Sequence, residues 1–572
     1  MEKYSIETIR HSLAHVMAAA VEELYPGVKL GVGPVIEHGF FYDFDLREEP
    51  DLKKIESRMK EIIKEGRPFK KRLMPLDVAI DYFKKRKQPY KVALLKELEK
   101  KGTKVSIYTT GEFVDLCRGP HVRSTKDLPL DGFGLTRTAK AYWRGKETNP
   151  QLTRIYGLAF ASKKEFEAHL KLLEEAEKRD HRKLGPALDL FSFHDVAPGA
   201  PFWHPKGMVL MQEIANYIRD LQRDRGYQET LTPILARKKL FDRSGHSEYY
   251  AENMFYLDVD GEPYALKAMN CPASTFIYAS RTRSYRDLPL RLSEFGSLHR
   301  KERSGVLTGL IRVWEFIQDD AHIYCRPDQI LEEITGALQL SNAIHKTFGL
   351  KPSFVFATKP DKALGDPKLW KKAEAALKKA LEANDLDCEL RPKDGAFYGP
   401  KIDVNVFDAL GREWTIATIQ LDFQLPERFG LTYIDEKGKK ERPVMIHRSS
   451  IGSFERFIGI LIEHYAGAFP VWLSPVQARV IPVGAKHEAY AKIVGKALRD
   501  ANVRVEVLDA SATVSKQVRD GELEKLPYLL VVGDEEEKKE AVRVRERGKG
   551  DTGLVSVSEF LRRITRETKA RK

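Results

Sequence analysis

The densest chemistry in the chain lies in residues 295–325, FGSLHRKERSGVLTGLIRVWEFIQDDAHIYC. Its first half carries Arg300, Arg303 and Arg312, with Lys301 beside them and one carboxylate, Glu302. Arginine suits a phosphate or carboxylate site, because its planar fork stays charged and grips two oxygens together. Gly305 and Gly309 predict a turn between two segments of apolar character, flanked by Arg300 and Arg312. The second half ends in Asp319, Asp320 and His322, which can bond a small polar substrate or hold a metal. Such a hairpin would set a nucleotide site beside a small-substrate site; a solvated, charged hairpin is the plainer reading. A second set lies near the N-terminus. His11 and His15 are four apart and share a helix face, without the adjacent glutamate of a zinc-protease helix. Cys117 and His121 sit together in DLCRGPH, residues 115–121. By ligand type the two pairs could bind zinc. They could also form a metal-free hydrolytic site with imidazole as general base for water. Spacing alone favours two unrelated pairs, each satisfied by local hydrogen bonds.

The elements that must position these groups follow from periodicity. Residues 8–24, TIRHSLAHVMAAAVEEL, read as an amphipathic helix stopped by Pro26-Gly27. Residues 30–46 alternate around Gly31, Gly33 and Gly39 and predict a strand pair. Helices are expected over 52–64 and 90–101, and a strand over 105–109 precedes DLCRGPH. Residues 162–184 are charged and helix-periodic, a connector with a solvated face. The largest domain begins near Leu188, with a long helix over 206–226 and a strand over 227–234 ending near Pro233. Further strands are expected over 397–403 (FYGPKID) and 417–423 (ATIQLDF). From about Ser474, strand and helix alternate, which predicts a small α/β domain on a mostly parallel sheet. It ends in the basic, exposed stretch AVRVRERGKGDTG.

Bulk properties bound the answer. A chain of 572 residues implies three or four domains. A net charge of +13 favours a polyanionic partner such as nucleic acid. No apolar run is long enough to cross a bilayer, and the N-terminus lacks a secretory signal core. Four widely spaced cysteines argue against a disulfide scaffold and for a reducing cytoplasm.

FGSLHRKE followed by RVWEFIQDDAHIYC resembles the second signature motif of the class II aminoacyl-tRNA synthetases. Its DDAH ending is similar to that of the threonyl-tRNA synthetase family. Residues 443–475, PVMIHRSSIGSFERFIGILIEHYAGAFPVWLSP, resemble the third motif, and MNCP at 269–272 resembles that family's zinc-binding cysteine loop. The helix, strand and proline of 206–234 resemble the first motif, which forms the family's dimer interface. HSLAH with DLCRGPH is similar to the editing domain of its bacterial members, and the C-terminal region resembles the class IIa anticodon-binding domain. The resemblance implies an α+β multidomain fold. Its parts are an editing domain (1–161), a linker helix (162–184), a class II antiparallel-sheet catalytic domain (185–472) and an α/β anticodon-binding domain (473–572).

The implied function is activation of L-threonine with ATP and Mg2+, transfer to tRNA(Thr), and hydrolysis of mischarged seryl-tRNA by a cytoplasmic homodimer with no membrane association. Arg300 would hold the α-phosphate and carboxylate, and Arg456 the γ-phosphate with help from Arg312. Phe316 would stack on adenine, Glu302 would accept from its amine, and Gln318 completes the ATP set. His246, in SGHSEYYAENMF, would face the terminal adenosine of tRNA. Cys271, His322 and His447 are the implied ligands of one Zn2+, leaving a fourth position open for substrate. Asp320, Tyr398, Lys401 and Gln420 complete the amino-acid site. His11, His15, Lys91, Asp115, Cys117 and His121 are the implied editing residues, with no obligatory metal. Glu536 and Arg543 align with anticodon contacts. Zinc bound by both the amino and hydroxyl groups would reject valine, which an apolar pocket excludes by only about 100-fold. Serine keeps both groups, so a second, hydrolytic site is expected.

The chain departs from the family at four places. It starts almost at HSLAH, without the small ubiquitin-like domain that commonly comes first. PAS follows Cys271 where Pro-Gly-His is usual, Thr308 replaces a histidine, and Trp314 to Phe316 replace Arg-Gly-Phe. The competing readings are a non-aminoacylating tRNA-binding or trans-editing paralogue, a plain RNA-binding module, and a synthetase for another amino acid.

Overall fold

A computed structural model of the chain describes residues 4–98, 104–146, 148–408 and 411–571. It divides into two compact units, Met1–Glu174 and Glu175–Lys572.

In the first unit the expected N-terminal helix runs Ile6–Leu24, capped by Ser5, whose hydroxyl accepts from the Thr8 amide at 3.3 Å. Every residue from Ser12 to Val21 is buried, because the small side chains of this helix let neighbours close on all its sides. A histidine on it is therefore desolvated. It packs on the helix Leu52–Glu65 and on an antiparallel sheet ordered Lys29–Leu30, Gly39–Asp45, Gln151–Ala159, Phe133–Tyr142. Val35–Ile36 pairs with Gly39–Asp45, giving the expected strand pair. The core includes Leu13, Met17, Phe40, Phe44, Met59 and Ile155. A second antiparallel sheet, Phe69–Met74, Val105–Thr110 and Phe113–Leu116, carries the chain into DLCRGPH. The helix expected over 90–101 is found as Pro89–Leu98; its predicted last turn lies outside the described residues.

The charged segment forms a helix, Lys163–Arg179, with no buried residue, as a connector requires. It ends at Asp180, whose carboxylate caps a separate short helix, His181–Ala187, at 2.8 Å from the Arg182 amide.

The second unit is built on an eight-stranded sheet. Its order is Gln228–Glu229, Leu290–His299, Glu315–Cys325, Val444–Ser449, Glu413–Asp422, Lys401–Phe407, Lys351–Ala357, Cys388–Arg391. The six central strands are antiparallel and each edge strand is parallel to its neighbour. Alternation sorts Glu315–Cys325 into two faces. Ile317, Ile323 and Cys325 join the helix-covered cores, while Phe316, Gln318, Asp320 and His322 share the other face. Helices Pro205–Arg223, Ile330–Thr347 and Phe454–Tyr465 supply the cover.

Two expected strands are shorter or displaced. Residues 227–234 pair as strand only at Gln228–Glu229. Beyond it, Thr230 and Thr232 bond to the Ser293 carbonyl and the Glu294 carboxylate, and Pro233 has no amide to pair. Residues 397–400 form a turn, and the strand begins at Lys401. Gly399 lies so close to the Leu421 carbonyl that a Cβ would sit 2.0 Å from it.

The C-terminal sheet runs Val505–Val507, Ala478–Pro482, Tyr528–Val532, Ala541–Glu546, Gly550–Ser556. Its first three strands are parallel, but the last two are antiparallel, so the sheet is mixed rather than mostly parallel. The connection from Glu546 to Gly550, with Gly548 and Gly550 at positive φ, is too short for a parallel crossover. The basic stretch expected to be merely exposed is this hairpin.

Candidate functional site

The face of the central sheet that carries the candidate site is set by register. One row of paired residues crosses five strands: Leu292, His322, His447, Gln420, Lys401. His322 and His447 are thus neighbours although 125 residues apart (447 − 322). Cys271 joins them from the start of the helix Cys271–Ala279. The three ligand atoms lie within 4.8 Å of one another, and all three residues are buried. Burial first, then Asp320 and Asp422, pushes the Cys271 thiol well up. Burial also drives His322 well down, helped by His447 and Arg448. Burial thus favours the neutral thiol and the neutral His322 imidazole, and a dication would reverse the thiol's preference. One thiolate and two imidazoles is a zinc donor set with an open position. Asp422 Oδ2 accepts from His447 Nε2 at 3.0 Å, which leaves the lone pair on Nδ1. The residues present therefore fit zinc.

Around the trio the predicted substrate residues converge. Asp320 is buried, raised by desolvation, and accepts from Asn270 Nδ2 at 3.0 Å. Gly296 is required beside it, since a Cβ there would meet Asn270 Oδ1 at 2.3 Å. The Tyr398 hydroxyl donates to Gln420 Oε1, and its ring lies 4.9 Å from that of His447. Lys401 pairs with Asp403 at 2.7 Å. His246 is buried, pushed to about 3 by desolvation, with Cys271 Sγ 3.9 Å from its Nε2.

A cavity opens on the same face, lined by Arg300, Glu302, Arg312, Phe316, Gln318, Gln420 and Arg456. The Arg300 guanidinium lies 5.1 Å over the Phe316 ring, and its Nε donates to the Ala268 carbonyl at 3.2 Å. Arg456, at the start of the helix Phe454–Tyr465, donates to the Ile311 carbonyl at 2.9 Å. Its guanidinium is lowered by burial and then by the charges of Arg312 and Arg300. Three like charges crowd one cavity, which is the electrostatic signature of a polyphosphate site.

Residues not foreseen hold this floor together. Arg448 is fully buried and its Nη1 meets both oxygens of Asp319 at 2.8 and 2.9 Å. Gln222 Nε2 adds a bond to Asp319 at 3.1 Å, so the helix, the second strand and the third strand of the signature motifs meet at one carboxylate. Lys267 and Glu294 form a second buried pair at 2.7 Å. Their residue types were visible, but their pairing depends on sheet register.

The N-terminal set is assembled too. His11, His15, Cys117 and His121 bring their polar atoms within 4.8 Å of one another. Cys117 Sγ lies 3.2 Å from His11 Nε2 and 3.3 Å from His121 Nε2, and the Gly119 amide donates to it at 3.2 Å. Ser12 Oγ contacts His121 Nδ1 at 3.2 Å. Asp115 sits 3.6 Å from His15 and pairs with Lys91. Tyr42, also unforeseen, donates to Asp115 at 2.6 Å and accepts from Lys91 at 2.9 Å. Burial pushes the Cys117 thiol up to about 11 and His121 and His15 far down. These are neutral groups joined by hydrogen bonds, a setting for water activation.

In the C-terminal domain Glu536 is buried and accepts from the Gly533 amide at 2.9 Å, capping its own helix. Arg543 is exposed and pairs with Asp551 at 2.8 Å.

Three family models match. One described as "tRNA synthetase class II core domain (G, H, P, S and T)" covers residues 252–465. "Anticodon binding domain" covers 477–567, and "Threonyl and Alanyl tRNA synthetase second additional domain" covers 105–156. The chain is 49% identical over 569 residues to threonine–tRNA ligase of Carboxydothermus hydrogenoformans, covering 99% of this chain and 89% of the relative. The Thermotoga maritima threonine–tRNA ligase is 49% identical over 573 residues, with the same coverage. Among solved structures, the RNA-binding domain of threonyl-tRNA synthetase from Cryptosporidium parvum is 42% identical, with a TM-score of 0.66. It covers 68% of this chain and 98% of that one. A threonyl-tRNA synthetase from Aeropyrum pernix is 27% identical at TM-score 0.59, over 69% and 97%.

Proposed function

This chain belongs to the threonine–tRNA ligase family of class II synthetases, and from that membership we propose how its own residues carry the reaction. The enzyme joins threonine to tRNA at the expense of ATP, and it carries the family's editing-type domain. Threonine's carboxylate attacks the α-phosphorus of ATP, and the bond to pyrophosphate breaks. A ribose hydroxyl at the tRNA 3′ end then attacks the carbonyl carbon of threonyl-adenylate, and AMP leaves. Neither step needs a protein nucleophile; both need alignment and neutralised charge at phosphorus.

Arg300 takes the α-phosphate and the carboxylate. Arg456 and Arg312 hold the far phosphates with Mg2+, and Phe316, Glu302 and Gln318 seat the adenine. The observation that carries this reading is the convergence of three guanidiniums on one cavity lined also by Gln420, the cross-strand neighbour of His447 in the Cys271, His322 and His447 trio. Zinc bound there would supply a Lewis-acid position for the substrate's amino and hydroxyl groups. Asp320, held by Asn270, accepts from that hydroxyl, and Tyr398, Gln420 and Lys401 line the rest. His246 stays assigned to the tRNA end, on the strength of its place beside Cys271. In the editing domain His11, the least desolvated of the histidines, activates water, with Asp115 and Lys91 orienting the set and no metal required.

The domain division is 1–161, 162–184, 185–472 and 473–572, with Glu536 and Arg543 toward the anticodon. The four free cysteines fit a cytoplasmic protein. The exposed run Leu231, Ile234 and Leu235 fits a homodimer face, which sedimentation would check. Arg300→Ala and Arg456→Ala are each expected to lower threonine-dependent ATP–pyrophosphate exchange by about 100-fold or more. Wild-type exchange in either folded variant would remove that arginine from the site.

A further inference from the structure

We propose that His181 is a positioning residue for ATP, holding the backbone that carries Ile311 and Arg312. It lies outside every motif, at the first position of the helix His181–Ala187. Its ring is buried between two elements of the active site. Glu463 Oε1 accepts from His181 Nδ1 at 2.6 Å and from the His181 amide at 3.2 Å. Glu463 is itself fixed, because Arg412 pairs with its other oxygen. A carboxylate only accepts, so Nδ1 carries the proton and Nε2 the lone pair. Nε2 accepts from the Leu310 amide at 3.0 Å. Both ring nitrogens are thus committed, which argues against a metal at this Asp180, His181, Glu463 cluster.

The surroundings are shaped to the imidazole. A Cβ on Gly309 would sit 2.2 Å from Nε2, and one on Gly459 would meet Leu310 Cβ at 3.3 Å and His181 Cδ2 at 3.7 Å. The next residue after Leu310 is Ile311, whose carbonyl receives Arg456 Nε at 2.9 Å. Arg312 follows, and both Ile311 and Arg312 line the cavity. One imidazole therefore ties a helix-borne carboxylate, Glu463, to the segment that places two of the three phosphate-facing guanidiniums. No other side chain bonds the Leu310 amide among the described residues.

The inference rests on the aminoacylation reading, which wild-type exchange reports separately. Two substitutions divide the imidazole's two bonds. His181→Gln can keep an acceptor near Leu310, and His181→Asn can keep a donor near Glu463. His181→Asn is expected to raise the KM for ATP by on the order of tenfold, and His181→Gln by about threefold or less. The KM for threonine and the deacylation of seryl-tRNA, which uses the other unit, are expected to stay unchanged in both. Equal ATP KM values in the two variants, or a threonine KM that moves in step, would overturn the proposal. Should His181→Asn fail to fold, Glu463→Gln carries the same expectation at about threefold, and an unchanged ATP KM there overturns it.

Discussion

Cys117 shows how burial sets what a side chain can do. Its thiol is surrounded by His11 and His121 at hydrogen-bond distance, the arrangement of an activated nucleophile. Yet burial holds its pKa up at about 11, and both His121 and His15 are too desolvated to serve as charged partners. At neutral pH the thiol stays protonated and water is the better nucleophile. Because the folded pKa is raised, alkylation of Cys117 followed by peptide mass spectrometry should keep accelerating up to about pH 11. A plateau near pH 9, the ordinary thiol value, would contradict this. At this scale the sequence was legible in residue types but not in partnerships. HxxxH and DLCRGPH displayed their histidines and cysteine, while Tyr42 and Ser12, which complete the network, carried no signal beyond being polar on buried elements. The trio Cys271, His322 and His447 was assigned by resemblance alone, since ligands from two strands and a helix have no spacing to read.

At the scale of elements, the central sheet converts distant sequence into adjacent chemistry. The pairing His322 with His447 and His447 with Gln420 is a consequence of register, and a slip of one residue would turn the whole row into the helix-covered core. The buried Arg448–Asp319 pair fixes that register from the opposite face. Arg448→Ala should cost about 3–5 kcal/mol in denaturant unfolding, because it leaves a buried carboxylate unpaired. A loss under about 1 kcal/mol would show that the pair does not hold the sheet. The strands at 105–110 and 413–422 and the long helix at 205–223 were foreseen within a few residues. The strand over 397–403 was not, because a glycine passing close to the Leu421 carbonyl forces a turn that alternation alone does not reveal. The C-terminal hairpin was missed for a related reason: its arginines and glycines read as a solvated loop, but Val542 and Val544 are buried and place it on the sheet edge.

For the whole second unit, the class II and anticodon-binding domains meet through charge. Lys206 pairs with Glu524 at 3.0 Å and Arg504 with Glu213 at 2.6 Å, while inside the anticodon-binding domain Arg479 holds Glu524 at 2.8 Å. Burial raises the Glu524 pKa, but the bonds from Arg479 and Lys206 outweigh it and hold the value below 4.5. A depressed carboxylate contributes stability above its unfolded pKa and loses it as pH falls through the folded value. Protection of the backbone amides around Lys206 and Arg479, relative to their intrinsic exchange rates, should therefore fall as pH drops below about 4.5, and Glu524→Gln should show the reduced protection already at pH 7. An identical exchange pattern in the variant would contradict that role. The proposed threonine site is tested most directly by ATP–pyrophosphate exchange with threonine, serine and valine side by side, on protein whose zinc content is quantified. Exchange should be strong with threonine, weaker with serine and almost absent with valine, at one zinc per chain. Exchange with valine comparable to that with threonine, or no exchange with threonine on folded, zinc-loaded protein, would contradict it.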